Sequence, residues 1–105
     1  ERGAEADARD SEGYTALMTA AANGHERVAE MLLRNRAEIN LQDSIGFTAL
    51  TSAALGGHER VVDVLIQHGA EVNLQSSVGE TALTCAAYIG HPAGVLRLLR
   101  AGADM

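Results

Sequence analysis

The apolar residues of this chain recur at helical spacing in three separate stretches. In the first stretch, Val28, Met31 and Leu32 fall at i, i+3 and i+4, the spacing that aligns side chains along one face of an α-helix. Polar residues, among them Arg27 and Glu30, occupy the other face. The same stripe is repeated by Val61, Val64 and Leu65, and again by Val95, Leu96, Leu98 and Leu99. The pattern predicts three short amphipathic helices.

A second, shorter helix is predicted before each of these. Thr15, Thr48 and Thr81 each precede small and apolar residues, and a threonine hydroxyl in that place accepts a backbone N–H bond as a helix N-cap. A Gly-His pair then separates the first helix from the second, and Pro92 fits the first turn of the last helix, where its missing N–H costs nothing. Gly69 lies where a helix would end in a left-handed residue.

These elements belong to a unit that occurs three times in the chain. The motif GxTAL begins at Gly13, Gly46 and Gly79, and the Gly-His pairs recur at the same fixed interval, a period typical of stacked helical repeats. The units span residues 10–42, 43–75 and 76–105. Each predicted helix has roughly eight to ten residues, below the about 12–15 at which an isolated helix becomes marginal in water, so the units must stabilise one another by stacking. The extended turn that joins two units is expected to project as a finger.

The pattern resembles the ankyrin repeat, whose core T-P-L-H-x-A-A reads here as TALMTAA, TALTSAA and TALTCAA. The resemblance implies an all-α solenoid of stacked helix-turn-helix repeats with projecting β-turn or hairpin fingers. It also identifies residues 1–9 as the tail of a preceding repeat. Met18, Thr51 and Thr84 replace the family histidine, so its hydrogen bonds between repeats should be weaker or absent.

Two further departures predict local strain. Arg36 occupies the position of Gly69 and Gly102, where a left-handed conformation costs a non-glycine residue about 1–2 kcal/mol. Gly94 replaces Val28 and Val61, which are predicted core residues, and loses both apolar area and helix propensity. The third repeat is therefore expected to be the loosest.

Composition and charge exclude several classes of function. The chain has 47% hydrophobic residues, and its net charge of −6 repels a nucleic-acid backbone. No apolar run approaches the about 20 residues that cross a bilayer, and the first residues do not resemble a signal peptide. One cysteine cannot form an intramolecular disulfide, so we expect an intracellular protein, cytoplasmic, nuclear or both.

No residue pattern predicts catalysis, a cofactor or a bound metal. His25, His58 and His91 are separated by the roughly 8–10 Å of neighbouring helix axes, too far apart to share a zinc ion, and are expected to shape the turn between helices. Cys85 lies on an alanine-rich helix without a predicted base, so we expect a small buried residue rather than a nucleophile. The chain has no lysine and no phosphate-binding glycine motif.

The resemblance places a partner-binding surface on the fingers and first helices, where family positions vary freely. These positions are Ser11, Glu12, Tyr14, Asn23, Ser44, Ile45, Phe47, Leu55, Ser77, Val78, Glu80, Tyr88 and Ile89. All three aromatic residues fall in this set, so the core is predicted not to need them. We expect the apolar members from the second and third repeats to form one exposed patch. The alternative is that Tyr14 and Phe47 merely cover the base of the fingers.

The function predicted from these residues is a non-catalytic protein-interaction module. Acidic Glu12 and Glu80 favour a partner with basic residues beside apolar anchors. Two other functions remain open: a substrate-targeting fragment of a larger enzyme or ubiquitin ligase, and a structural spacer or self-associating array. Neither end resembles the polar unit that closes a repeat array, so we expect a fragment of a longer array or ends that pack on another molecule.

Overall fold

A computed structural model describes residues 7–105. The predicted tail of a preceding repeat, residues 1–9, lies mostly outside the described residues. The described part contains three pairs of helices, each pair made of a short first helix and a longer second helix. In chain order these are α1 (Ala16–Ala22), α2 (Glu26–Arg34), α3 (Ala49–Leu55), α4 (Glu59–Gln67), α5 (Ala82–Tyr88) and α6 (Pro92–Arg100). The first helices have 7 residues, fewer than predicted, and the second helices have 9.

The first helices begin at the threonine caps that the sequence predicts. The hydroxyl of Thr48 accepts the backbone N–H of Thr51 at 3.2 Å, and Thr51 Oγ1 in return accepts the N–H of Thr48 at 2.6 Å. Thr51 Oγ1 also donates to the carbonyl of Thr48 at 2.8 Å. Thr84 makes the equivalent bonds, and in the first repeat Met18 uses its sulfur as the acceptor. The residues that replace the family histidine thus complete capping boxes within their own repeats.

The helices form two layers that grow along the repeat direction. One layer is α1, α3 and α5 and the other is α2, α4 and α6, with each helix packed on its neighbour in the layer and on its own hairpin partner. Small residues such as Ala21, Ala54 and Ala86 are fully buried and let the backbones approach closely, while Leu50 and Leu65 fill the space between layers. The core is therefore continuous across the repeats.

The predicted apolar stripe of α2 is wrong in part. Val28 and Met31 are exposed and Ala29 is the buried residue of this helix, although the equivalent Val61 and Val64 of α4 are buried. Val61 and Val64 are covered because a repeat precedes theirs. Within residues 7–105 Val28 is therefore exposed and Val61 is the buried valine at this position of the repeat. Gly94 replaces a buried valine in comparison with Val61.

The stripe of α6 is also only partly buried. Leu98 is fully buried, whereas Leu96 and Leu99 are exposed on the side away from the middle repeat. Gly94 is buried beside His91, and a Cβ atom on Gly94 would lie 2.6 Å from His91 Nδ1. The imidazole therefore occupies space that a larger residue at position 94 would need.

The ends of the second helices confirm the predicted left-handed positions. Gly69 and Gly102 have φ of 89° and 98°, and Arg36, at the equivalent position, has φ of 71°. In all three repeats the backbone N–H two residues past the last helical residue bonds back to a carbonyl in the final turn, as a left-handed helix terminus requires. Arg36 therefore adopts a conformation that glycine adopts without cost.

Candidate functional site

The fingers are rigid loops built on the first residue of each repeat. Asp43 Oδ1 accepts backbone N–H groups from Ile45 at 3.0 Å and Phe47 at 2.9 Å, and the N–H of Asp43 donates to the carbonyl of Phe47 at 2.8 Å. Asp10 and Ser76 accept the equivalent pairs of N–H groups in the other two fingers. A short polar side chain that satisfies two backbone donors fixes the loop shape and leaves the following side chains free to face outward.

Neighbouring fingers are hydrogen-bonded to each other. The N–H of Ser44 donates to the carbonyl of Glu12 at 3.2 Å, and that of Ser77 donates to the carbonyl of Ile45 at 2.9 Å. Gln42 adds a side-chain bond to the carbonyl of Gln75 at 3.0 Å. Because each finger leads directly into a first helix, the fingers and first helices together form one continuous surface.

A groove of about 430 Å³ lies on this surface between the first and second repeats. Its walls come from two fingers and from α1 and α3. The lining residues are Tyr14, Met18, Thr19, Ala22, Asn23, Asp43, Ile45, Phe47, Ser52 and Leu55. Most of the lining surface is apolar, and the lining residues that carry polar groups are Tyr14, Thr19, Asn23, Asp43 and Ser52. The groove can therefore hold apolar side chains and offer them a few hydrogen-bonding groups.

The structure brings five of the predicted site residues together in this groove. They are Tyr14, Asn23, Ile45, Phe47 and Leu55. The remaining predicted residues do not line it but are exposed on the fingers or at the end of α5: Ser11, Glu12, Ser44, Ser77, Val78, Glu80, Tyr88 and Ile89. Tyr88 is the most exposed of these, with 86% of its surface accessible.

The prediction that the core does not need the aromatic residues is wrong for Phe47. Its side chain is half-buried and packs against the core cluster while one side faces the groove. Tyr14 and Tyr88 are exposed. Phe47 is therefore both part of the base of its finger and part of the groove wall.

Sequence reasoning missed five of the groove residues: Met18, Thr19, Ala22, Asp43 and Ser52. The repeat register contained a signal for one of them, because Ala22 is equivalent to Leu55 and Tyr88, which are in the predicted set. Thr19 and Ser52 share a position with the buried Cys85, so their position gave no such signal. Met18 is almost fully buried, so only the shape of the structure reveals its contact with the groove.

Charge is distributed unequally between the two layers. Glu12 and Glu80 are exposed on the fingers, and Asp43 lies in the groove wall. In contrast, the second helices carry five arginines, at positions 27, 34, 60, 97 and 100, and four carboxylates, at positions 26, 30, 59 and 63. The finger surface is therefore the more acidic side of the molecule.

The histidines of the Gly-His pairs serve as N-cap residues of the second helices, as expected for a structural role. His58 also bonds through Nε2 to the carbonyl oxygen of Ala22 in the preceding repeat, at 3.0 Å. His91 Nε2 lies 3.8 Å from Glu59 Oε1. Within residues 7–105, no group of three or more histidine, cysteine, aspartate or glutamate side chains is arranged to hold a metal ion.

Cys85 is buried within α5, as predicted. Burial raises the pKa of the Cys85 thiol, and the negative charge of Glu80 raises it further. A raised pKa keeps the sulfur protonated at neutral pH, and a protonated thiol is a poor nucleophile.

Family comparisons agree with this geometry. A family model for ankyrin repeats in three copies matches residues 35–105, and a second model, for ankyrin repeats in many copies, matches residues 1–53. The chain belongs to the ankyrin repeat family, which consists in general of protein-interaction modules. A comparison with curated proteins gave no match. Across residues 7–105, none of the helices has the length and apolarity to cross a membrane.

Proposed function

We propose that this chain is a non-catalytic module that binds a protein partner through its fingers and first helices. The observation that carries the proposal is the groove between the first and second repeats, because it is apolar, open to solvent and formed by loops that internal hydrogen bonds already hold in place. Contiguous apolar surface on a folded domain commonly marks an interface.

Preformed finger geometry supports tight binding by this surface. The Asp43 bonds fix the Ile45 and Phe47 backbones before any partner arrives, so little conformational entropy is lost on association. Ile45 and Leu55 are exposed at the groove, and Tyr88 is exposed beyond it. Large apolar and aromatic side chains that become buried on binding are typical energetic anchors of interfaces.

The partner that fits this surface carries basic residues next to apolar ones. An apolar side chain would enter the groove between Tyr14 and Phe47, and its neighbouring arginine or lysine would approach Glu12 or Asp43. The net charge of −6 would accelerate the approach of such a partner, most strongly at low ionic strength. Thr19 and Asn23 provide hydrogen-bonding groups at the groove wall.

A random peptide display library tests both the surface and the partner chemistry. We expect the selected peptides to combine an apolar residue with a nearby arginine or lysine, and we expect Ile45→Glu to weaken their binding at least tenfold. Arg60→Ala, an exposed change on α4, is the matched control and should leave affinity unchanged. Each variant is checked for an unchanged melting temperature.

Two results would contradict the proposal. Peptides that bind Ile45→Glu as tightly as the wild type would exclude the groove as the binding site. Selected peptides whose binding is lost in Arg60→Ala would place the site on the second helices instead.

A further inference from the structure

One position on the groove side of the molecule changes from aromatic to acidic along the repeats. Tyr14 and Phe47 occupy this position in the first and second repeats, and both line the groove, one from each repeat. Glu80 occupies it in the third repeat. By the repeat register, Phe47 and Glu80 therefore flank the junction between the second and third repeats as Tyr14 and Phe47 flank the groove.

The third finger also holds its acidic group differently from the second. In the second finger the carboxylate belongs to Asp43, whose Oδ1 accepts two backbone N–H groups of the same finger. In the third finger the hydroxyl of Ser76 accepts the equivalent N–H groups and donates to Glu80 Oε1 at 3.3 Å. Within residues 7–105, no arginine or histidine forms an ion pair with Glu80. The Glu80 carboxylate is therefore available to a cation from a partner.

The charge of Glu80 lies on the groove side of α5. Burial and then the negative charge of Glu80 raise the pKa of the Cys85 thiol, and Cys85 is equivalent to Ser52, which lines the groove. Glu80 is exposed. Tyr14 and Phe47, at the same position, are each followed by another repeat and still line the groove, and Tyr14 is 42% exposed. A following repeat therefore leaves this position open to a partner.

The distance from one repeat to the next fits three residues of an extended peptide. Neighbouring helices of a stack lie about 8–10 Å apart. Three residues of a polyproline II segment advance about 9 Å and return the side chain to the same side of the peptide. An α-helical segment needs about seven residues for that distance, at about 1.5 Å per residue. An extended peptide that runs along the repeats therefore presents every third side chain to successive junctions.

We propose that Glu80 is a specificity-determining residue for an extended segment of the partner. An apolar side chain of this segment occupies the groove, and an arginine or lysine three residues away from it pairs with Glu80. The inference rests on the proposed function, because it takes the groove as the site of the apolar anchor, and it adds the conformation of the segment and a second contact on the third repeat. An exposed ion pair contributes more to the choice of partner than to affinity.

Selection of one random peptide display library on the wild type and on variants of Glu80 tests the proposal. Peptides selected on the wild type should be enriched in arginine or lysine three residues from the apolar anchor. Glu80→Gln, which keeps an oxygen for Ser76, should keep the anchor and lose this enrichment, and Glu80→Arg should select aspartate or glutamate there instead. Glu12→Gln, a change of an exposed acid on the first finger, is the matched control and should leave the preference unchanged.

The affinity of a selected peptide gives a second measurement. Replacing its basic residue with alanine should weaken binding to the wild type about two- to fivefold and leave binding to Glu80→Gln unchanged. An equal loss with both proteins would overturn the proposal, as would a basic residue selected seven residues from the anchor. Peptides that need Ile45 but select the same residues on Glu80→Gln would overturn this inference alone. Peptides that bind Ile45→Glu as tightly as the wild type would overturn it together with the proposed function.

Discussion

Asn40 Oδ1 accepts the backbone N–H of Glu71 at 2.9 Å and so ties the end of one repeat to the end of the next. Asn73 accepts the N–H of Asp104 at 2.9 Å in the same way, and Asp7 accepts that of Glu38 at 2.7 Å. The three acceptors occupy equivalent positions of successive repeats, so this bond is part of the repeat itself.

From the hydrogen bond of Asn40 we predict how two substitutions at this position change the free energy of unfolding. Asn40→Ala removes the acceptor and should lower the free energy of unfolding by about 1 kcal/mol. Asn40→Asp keeps an oxygen acceptor, as Asp7 already does, and should cost clearly less. Urea unfolding of the wild type and both variants measures the difference. Equal losses in the two variants would mean that the hydrogen bond contributes nothing.

Arg36 and Gly69 form a matched pair at the ends of α2 and α4. Arg36→Gly should relieve the cost of a side chain at φ of 71° and stabilise the chain by about 1 kcal/mol, which raises the melting temperature by about 4–8 °C. Gly69→Ala should lower it by a similar amount, because φ is 89° and no atom lies within 4 Å of the added Cβ, so only backbone strain changes. A lower melting temperature for Arg36→Gly would show that the arginine side chain makes a stabilising contact.

Substitutions at Thr51 and Thr84 show how much burial adds to the stability that a capping-box hydroxyl provides. Both residues make the same three bonds with the preceding threonine cap, but Thr51 is buried and Thr84 is exposed. Thr51→Val leaves a buried backbone N–H without its acceptor and should cost about 1–3 kcal/mol. Thr84→Val should cost less than half as much, because water replaces the lost partner. Thermal unfolding compares them, and equal losses would contradict the role of burial.

The third repeat should open more readily than the middle one. α4 buries Val61, Val62, Val64 and Leu65, whereas α6 buries only Gly94 and Leu98. Less apolar area holds the last helix in place, so local opening requires less free energy. Native-state hydrogen exchange should be faster for the amides of α6 than for those of α4. Slower exchange in α6 would refute the prediction.

Period and capping made most of the fold predictable. Threonine caps, Gly-His breaks and a constant repeat length can be read from the chain directly, and each has a physical consequence for where a helix begins or ends. Burial was less predictable. Val28 and Val61 occupy equivalent positions, but within residues 7–105 only Val61 is covered by a preceding pair of helices, so burial at this position depends on a neighbour and not on the helix itself.

The candidate site was predictable to the same limited extent. Ile45 and Leu55 could be placed on the surface by repeat position alone, because the family leaves those positions free. Met18 could not, since a buried residue touches the groove only through the way that α1 and α3 pack. For Phe47, the repeat position predicted a place on the surface, because the family leaves that position variable. The contact of its ring with the core depends on packing and was not predicted.

The most direct test of the proposed binding surface is a map of amide chemical-shift changes in the protein on titration with a selected peptide. We expect the largest changes at Tyr14, Asn23, Ile45 and Leu55, with small changes along α2, α4 and α6. Changes concentrated on the second helices, with the groove residues unaffected, would contradict it.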